Sequence, residues 1–341
     1  MNRVLVVLPN WYGETLYATP FLRALRSLRP GAFIATLGWP QCREILLHNP
    51  HVNELVDYDE ANVHRTLLGK SRLIAELRAR GFDAAFILRR SLSRSLVVAL
   101  AGIPVRIGFA NPKSGWVLTR RIRPAAGARH KALTYFPLLD AIGPAPAAGP
   151  CDYVVSGEER RAARKWLEGP LAVNGRSFVI LHPGANWSHK RWAAERFAAL
   201  ADRLSEARRV HVVMTGGPDD IPLTESITRR MRQPSTVLAG RTTLRQLGAC
   251  LEQAQLVVAG DTGALHLAAA LRRPIVALYG PTSPALTGPL GDPRRTVVLH
   301  HPDCCPQVPC YRPDRPPHPG MNSITVDEAF AAAVSLLEST R

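Results

Sequence analysis

At 341 residues the chain exceeds the roughly 250–300 at which a single hydrophobic core stops growing, so two domains are expected. Its formal net charge of +16 is unevenly placed, with 20 Lys/Arg against 9 Asp/Glu in residues 1–150 and 23 against 18 in the rest, so the first half is expected to meet the acidic partner. Aromatic residues make up only 6% and form no stacking pattern, which argues against nucleic acid, and no run approaches the ~20 apolar residues of a membrane span. The opening Met1-Asn2-Arg3-Val4-Leu5-Val6-Val7-Leu8-Pro9 is too short an apolar run for a signal peptide and reads as a buried strand. The expected setting is the cytoplasm, with contact to a membrane surface only from the side.

In chain order, the first half predicts strand 3–8, helix 14–29, strand 32–37, helices 40–48 and 66–80, strand 83–88 and helix 92–101. Within the first helix Ala18, Phe21, Leu22, Leu25 and Leu28 form a core-facing stripe, opposite Arg23, Arg26 and Arg29. Residues 143–150 are a Pro/Gly/Ala stretch that reads as a linker, giving domains 1–150 and 151–341. The second half predicts helix 157–167, strand 177–182, helix 193–206, strand 210–214, helices 221–232 and 243–253, strand 256–259, helix 263–271 and strand 274–279. Residues 301–321 hold seven prolines, and Thr325-Val326-Asp327-Glu328 is a capping box opening a last helix to about residue 339. That helix is a candidate to pack back on the first domain. The alternation implies an α/β chain of two doubly wound parallel sheets, with ligands at the carboxyl ends of the strands.

Candidate chemistry therefore lies in the loops after strands. Val257-Val258-Ala259-Gly260-Asp261-Thr262-Gly263-Ala264-Leu265-His266 leaves a buried strand tightly and starts a helix, whose unpaired first amides suit a diphosphate. Asp261 could equally be a plain N-cap, and His266, one turn after Thr262, a core or capping histidine. After strand one, Gly13-Glu14 puts a carboxylate on the first turn of a helix, as a general base or as an acid favourable to the helix dipole. The long loop from His182 to Trp192 carries Asn186, Lys190 and Arg191, which could reach a phosphate or form a solvated charge pair, with Trp187 and Trp192 as candidate walls for a ring. Asp220, after Gly216-Gly217-Pro218-Asp219, could accept bonds from ribose hydroxyls, although turn chemistry also explains that run. Asp57-Tyr58-Asp59 reads as surface. The scattered cysteines point to thiols. Cys304-Cys305 with Cys310 lacks paired Cys-x-x-Cys spacing, and His300, His301 and His318 supplement it only loosely, so no metal is expected.

Taken together, these stretches resemble glycosyltransferase family 9, the ADP-heptose:lipopolysaccharide heptosyltransferases, and most closely the heptosyltransferase II branch. The likeness runs through Pro9-Asn10-Trp11-Tyr12-Gly13, Thr19-Pro20-Phe21-Leu22-Arg23, Ala101-Gly102-Ile103-Pro104-Val105-Arg106-Ile107-Gly108, His182-Pro183-Gly184-Ala185, Lys190-Arg191-Trp192, Leu238-Ala239-Gly240, Asp261-Thr262-Gly263 with His266, and Ala277-Leu278-Tyr279-Gly280-Pro281-Thr282. The resemblance implies a GT-B fold, two Rossmann-like domains facing across a cleft, with acceptor on the first and ADP-sugar on the second. It implies Glu14 and Lys190 as catalytic residues. Donor binding would fall to Asn186, Lys190, Arg191, Asp220, Asp261, Thr262, Gly263 and His266, and acceptor binding to Gly13, Arg89, Arg90, Arg94 and Arg120. No cofactor or metal is implied, only an ADP-heptose donor, a phosphorylated lipid A core acceptor and the cytoplasmic face of the inner membrane, reached by a monomer. The chain departs from the family in having Glu14 where Asp is usual and Gly320 where a Cys is usual. A transferase using another nucleotide sugar, an isomerase of the same architecture and a non-catalytic binder of anionic glycolipid are the other readings.

Overall fold

The computed structural model describes residues 1–341 except 126, 128, 169–176, 306–307, 311–317 and 340–341. The chain divides into two units, Met1–Val154 and Val155–Arg341.

The first unit runs β1 (Arg3–Val7), α1 (Tyr12–Tyr17), α2 (Thr19–Leu28), β2 (Phe33–Gly38), α3 (Pro40–Leu46), β3 (Glu54–Asp57), α4 (Leu67–Ala79), β4 (Ala84–Ile87), α5 (Leu92–Leu100), β5 (Val105–Phe109) and β6 (Arg120–Ile122). All strands are parallel, in the order β3-β2-β1-β4-β5-β6. The single helix expected over 14–29 is two helices. Pro20 has no N–H to give to a preceding turn and stands at the start of α2, so the chain restarts there. The stripe on α2 is as expected, with Phe21, Leu22 and Leu25 fully buried. Thr19 Oγ1 accepts from the Asp152 amide at 2.8 Å and Arg23 donates to Pro150 O at 2.7 Å, which fastens the end of this unit's chain to α2.

The second unit runs α6 (Gly157–Glu168), β7 (Phe178–His182), α7 (Ala194–Arg208), β8 (His211–Met214), α8 (Ile221–Thr228), β9 (Ser235–Val237), α9 (Leu244–Gln253), β10 (Leu256–Gly260), α10 (Gly263–Ala270), β11 (Ile275–Tyr279), α11 (Pro284–Thr287), β12 (Thr296–His300), α12 (Pro319–Ser323) and α13 (Val326–Ser339). Its sheet is again parallel, in the order β12-β11-β10-β7-β8-β9. The central strands β7, β10 and β11 are buried throughout, as strands covered on both faces must be. Thr325 and Glu328 exchange bonds of 2.8 and 3.2 Å across the capping box that opens α13. That helix buries Ala329, Ala333, Leu336 and Leu337 in the same core as Phe197, Leu200 and Leu204 of α7. Among the described residues no helix is long and apolar enough to cross a membrane.

Each strand order reverses at one place. In the first unit the chain turns outward from β1 on one side and β4 on the other, and in the second from β7 and β10. The loops that leave the carboxyl ends of those pairs diverge and leave a crevice, the usual place for a ligand in open α/β sheets.

Candidate functional site

At the second unit's crevice, β7 ends on His182, whose Nδ1 lies 2.9 Å from Thr215 Oγ1 at the end of β8. Burial pushes the His182 imidazole down to about 4, against the weaker opposing charge of Asp220. The unfolded chain therefore binds this proton first. Stability is expected to be flat above about pH 6.5, to fall as pH drops through the window from 6.5 to about 4, and to level below it, by about 3 kcal/mol in all. Urea unfolding at pH 7 and pH 4.5 tests this, and the difference should shrink in His182→Gln.

The loop beyond is shaped around Asp220. A Cβ at Gly184 would sit 2.1 Å from Asp220 Oδ2, and one at Gly216 would sit 2.7 Å from Asp220 Cβ. Seated there, the carboxylate accepts from the Gly217 amide at 3.0 Å and pairs with Arg191 at 3.2 Å, while Arg191 Nε donates to Ala185 O at 3.1 Å. Gly184→Ala should evict the carboxylate and lower stability by about 1–3 kcal/mol, as thermal melting would show.

Lys190 ends a short 3-10 turn and reaches Asp261, just past β10, at 2.8 Å. A Cβ at Gly260 would press on Lys190 O at 3.2 Å, so the glycine admits this loop. Asp261 Oδ1 also lies 3.2 Å from His266 Nε2 and 3.4 Å from the Tyr279 hydroxyl, which itself donates to Thr287 O at 2.8 Å. Burial alone would raise the Asp261 carboxyl. The bond and charge of His266, then those of Lys190, outweigh it and hold the group well below the usual carboxylate range. The result is a fixed anion with a lysine on one oxygen and His266 and Tyr279 on the other. Lys190 Nζ also stands 4.9 Å over the half-exposed Trp187 ring. Beside them Thr262 caps α10, its hydroxyl accepting from the Leu265 amide at 3.5 Å, and the exposed Gly263 opens the helix with nothing within 4 Å of where its Cβ would be. Asn186 is exposed on the same loop, without a bonded partner among the described residues.

Two expectations need correction. Trp192 is no wall for a ring: it is 2% exposed, packs on Phe197 and donates Nε1 to Ile324 O at 3.0 Å, because the chain turns inward there to start α7. Arg94 is no acceptor ligand. It is 0% exposed, with Nη1 donating to Leu8 O at 2.7 Å and Nη2 and Nε donating to Glu60 Oε2 at 2.7 and 3.2 Å.

At the first unit's crevice, that guanidinium fixes the base of the β1–α1 loop. Cys42 Sγ, 3.5 Å from both Pro9 O and Asn10 O, and Gln41 Nε2, 2.8 Å from Asn10 O, fix the next two residues. On this support stand Gly13, open on its Cβ side, and Glu14, exposed on the first turn of α1 and without an ion pair among the described residues. Burial first, and the charge of Glu14 second, push the Tyr135 phenol up, so this hydroxyl stays protonated beside the carboxylate. Arg89 and Arg90 emerge exposed directly after β4, Arg90 over the Phe109 ring at 5.7 Å. Arg120 is exposed on the edge strand β6, away from the β1/β4 reversal, and donates to Ala141 O at 2.7 Å. Asp57 pairs with Arg43, and Asp59 accepts from the amides of Ala61 and Asn62 in a turn. Tyr135 went unnoticed in the sequence, and Tyr279 was read as the last apolar residue of a strand within the 277–282 stretch and not as a site residue.

The profile of glycosyltransferase family 9 (heptosyltransferase) matches residues 70–312. Lipopolysaccharide heptosyltransferase 2 of Escherichia coli K12 is 29% identical over 311 residues, 87% of this chain and 88% of its own length. Lipopolysaccharide heptosyltransferase 3 of E. coli is 27% identical over 282 residues, 80% of this chain and 82% of that one. Among solved structures, E. coli ADP-heptose LPS heptosyltransferase II superposes with a TM-score of 0.82 at 26% identity, covering 100% of this chain and 99% of the other. A family 9 glycosyl transferase of Veillonella parvula has a TM-score of 0.87 at 24% identity, covering 99% and 97%.

Proposed function

With a family profile spanning well over half of it, the chain belongs to glycosyltransferase family 9, and on that premise we propose that it moves heptose from ADP-heptose to the inner core of lipopolysaccharide. Its two parallel six-stranded sheets match the GT-B fold of heptosyltransferases. The observation that carries the proposal is the Lys190–Asp261–His266–Tyr279 cluster at the β7/β10 reversal, beside the open first turn of α10. A cation and free amides there suit the diphosphate of a nucleotide sugar. The relatives' names supply the sugar and the acceptor.

In the proposed reaction the second unit takes the donor and the first the acceptor. Glu14 removes the proton of an acceptor hydroxyl as its oxygen attacks the anomeric carbon, the bond from that carbon to the phosphate oxygen breaks, and ADP leaves with inverted configuration at the sugar. The charge that develops on the diphosphate is met by Lys190 and the α10 amides rather than by a metal. Asp261 keeps Lys190 extended until phosphate replaces it, while His266 holds the carboxylate in place. Asp220 and Arg191 line the nucleoside side of the loop. Arg89 and Arg90, with the basic surface of the first unit, receive a phosphorylated lipid A core at the cytoplasmic face of the inner membrane, and the protein acts as a monomer.

Lys190→Ala should weaken ADP binding by about 10- to 100-fold, the loss of a charged hydrogen bond. Unchanged affinity in calorimetry would remove Lys190 from the donor site. The activity itself is tested by mass spectrometry after incubation with ADP-heptose and a heptose-free core, with and without one heptose attached. Gain of one heptose only on the heptosylated core supports heptosyltransferase II. Gain with another nucleotide sugar and none with ADP-heptose sinks the donor assignment.

A further inference from the structure

Beyond β12 the chain assembles a group of side chains that sugar transfer leaves unused. The Sγ atoms of Cys305 and Cys310 and a ring nitrogen of His318 all lie within 4.8 Å of one another. The sequence spacing gave these residues little weight because it shows no paired Cys-x-x-Cys. Folding supplies the third donor from the N-cap of α12 instead. Both thiols are half-buried and His318 is 3% exposed. His318 Nδ1 accepts the Gly320 amide at 3.1 Å, and Nε2 is buried without a hydrogen-bond partner among the described residues. A buried ring nitrogen with no polar partner costs free energy unless something else satisfies it. The backbone around the group is fixed: the Cys305 amide donates to Pro302 O at 3.0 Å and the Cys310 amide to Pro281 O at 2.6 Å.

We propose that Cys305, Cys310 and His318 bind one thiophilic divalent metal ion, zinc before iron, as a staple on the second unit. Tetrahedral zinc with sulfur at about 2.3 Å and nitrogen at about 2.0 Å places its donors roughly 3.5–3.8 Å apart, inside the observed envelope. Two thiolates balance the ion's charge, and one coordination position is left for water. Loading releases two thiol protons. Ligation through Nε2 takes the tautomer protonated at Nδ1, so loading exchanges the hydrogen bond from the Gly320 amide for the metal–nitrogen bond. The staple joins Cys305 and Cys310, beyond β12, to the start of α12, and the Cys310 amide ties it to Pro281 after β11, where a Cβ at Gly280 would sit 2.8 Å from Met321 N. Oxygen-rich binding of magnesium or calcium is not what two sulfurs and an imidazole select.

The test uses full-length protein purified under reducing conditions and titrated with Zn(II) against a chromophoric chelator, and with Co(II) alone. One ion per chain, a thiolate-to-cobalt charge-transfer band and the strong visible absorption of tetrahedral cobalt are expected. Cys310→Ser should abolish both signals and Cys304→Ser should leave them intact. His318→Asn, which keeps a capping acceptor, should also abolish them while the far-UV spectrum stays native. Iron held by the same three side chains supports the site and reassigns the ion. Absence of the charge-transfer band, full binding by Cys310→Ser, or a Cys305–Cys310 disulfide in the reduced preparation overturns the proposal. Each readout is independent of transferase activity, so failure here and failure of the proposed reaction are distinguishable.

Discussion

Glu14→Gln is expected to cut the turnover of heptose transfer by about 10²–10⁴, or about 3–5 kcal/mol of barrier, and to leave ADP affinity unchanged. Glutamine keeps the length, the shape and one acceptor oxygen of the side chain, so the change removes little beyond proton affinity. The alternative role, an acid favouring the helix dipole, is worth only about 0.3–1 kcal/mol on an exposed first turn and acts on stability rather than rate. Glu14 stands on α1, a helix of six residues whose N-cap Trp11 makes no side-chain capping bond. The carboxylate meets no cation among the described residues, and its charge, second to burial, pushes the Tyr135 phenol up. A side chain kept only for the helix would leave single-turnover transfer unchanged when neutralised. Glu14→Asp, which restores the residue usual in the family, should retain transfer within about tenfold, since proton affinity is kept and only reach is lost. A drop as large as that of Glu14→Gln would mean that this acceptor needs the longer side chain.

How much of this could be read from the chain follows from what a periodic pattern reports. β1, β7, β10 and β11 are continuous apolar runs because both faces are covered, and each lies within a residue of its expected span. β3, β5, β6, β9 and β12 fall in none of the expected strand spans. β5 carries Arg106 and Gly108, β6 is Arg120-Arg121-Ile122, β9 has three residues and β12 is half-exposed, so none presents an apolar block. Their place is decided by pairing with a neighbour, which a one-dimensional pattern does not carry. The site divides the same way. Lys190, Asp261 and His266 stood out because polar residues after apolar strands are conspicuous, and they meet at one carboxylate. Tyr279 was hidden by its hydrophobic ring. Arg94 misled because a charge in a basic half looks like surface, and only the fold shows that Leu8 and Glu60 enclose it.

That enclosure makes Arg94 the residue of the first unit whose replacement should cost most without touching substrate. Arg94→Met keeps the buried stem and removes the guanidinium, leaving Leu8 O without its donor and Glu60 without its cation. Breaking a buried pair costs about 3–5 kcal/mol, and the lower end applies because Glu60 keeps 25% of its side chain in water and retains bonds from Trp39 at 3.0 Å and Ser93 at 3.1 Å. Thermal unfolding should then begin about 6–12 °C lower. Glu60→Gln leaves a guanidinium with no exposure and only neutral partners, the Leu8 carbonyl, the glutamine oxygen and the Tyr58 ring, so its buried charge is unpaired and the change should destabilise more than Arg94→Met does. The double replacement should lie above Glu60→Gln in stability, because no unpaired buried charge remains. Turnover should fall in Arg94→Met even well below its melting temperature, since Leu8 O anchors the loop that carries Glu14, while ADP binding to the second unit stays as it was. Equal melting of Arg94→Met and wild type would mean that the pair contributes nothing, and an unchanged rate in a folded Arg94→Met would mean that the loop holds its catalytic geometry through Cys42 and Gln41 alone.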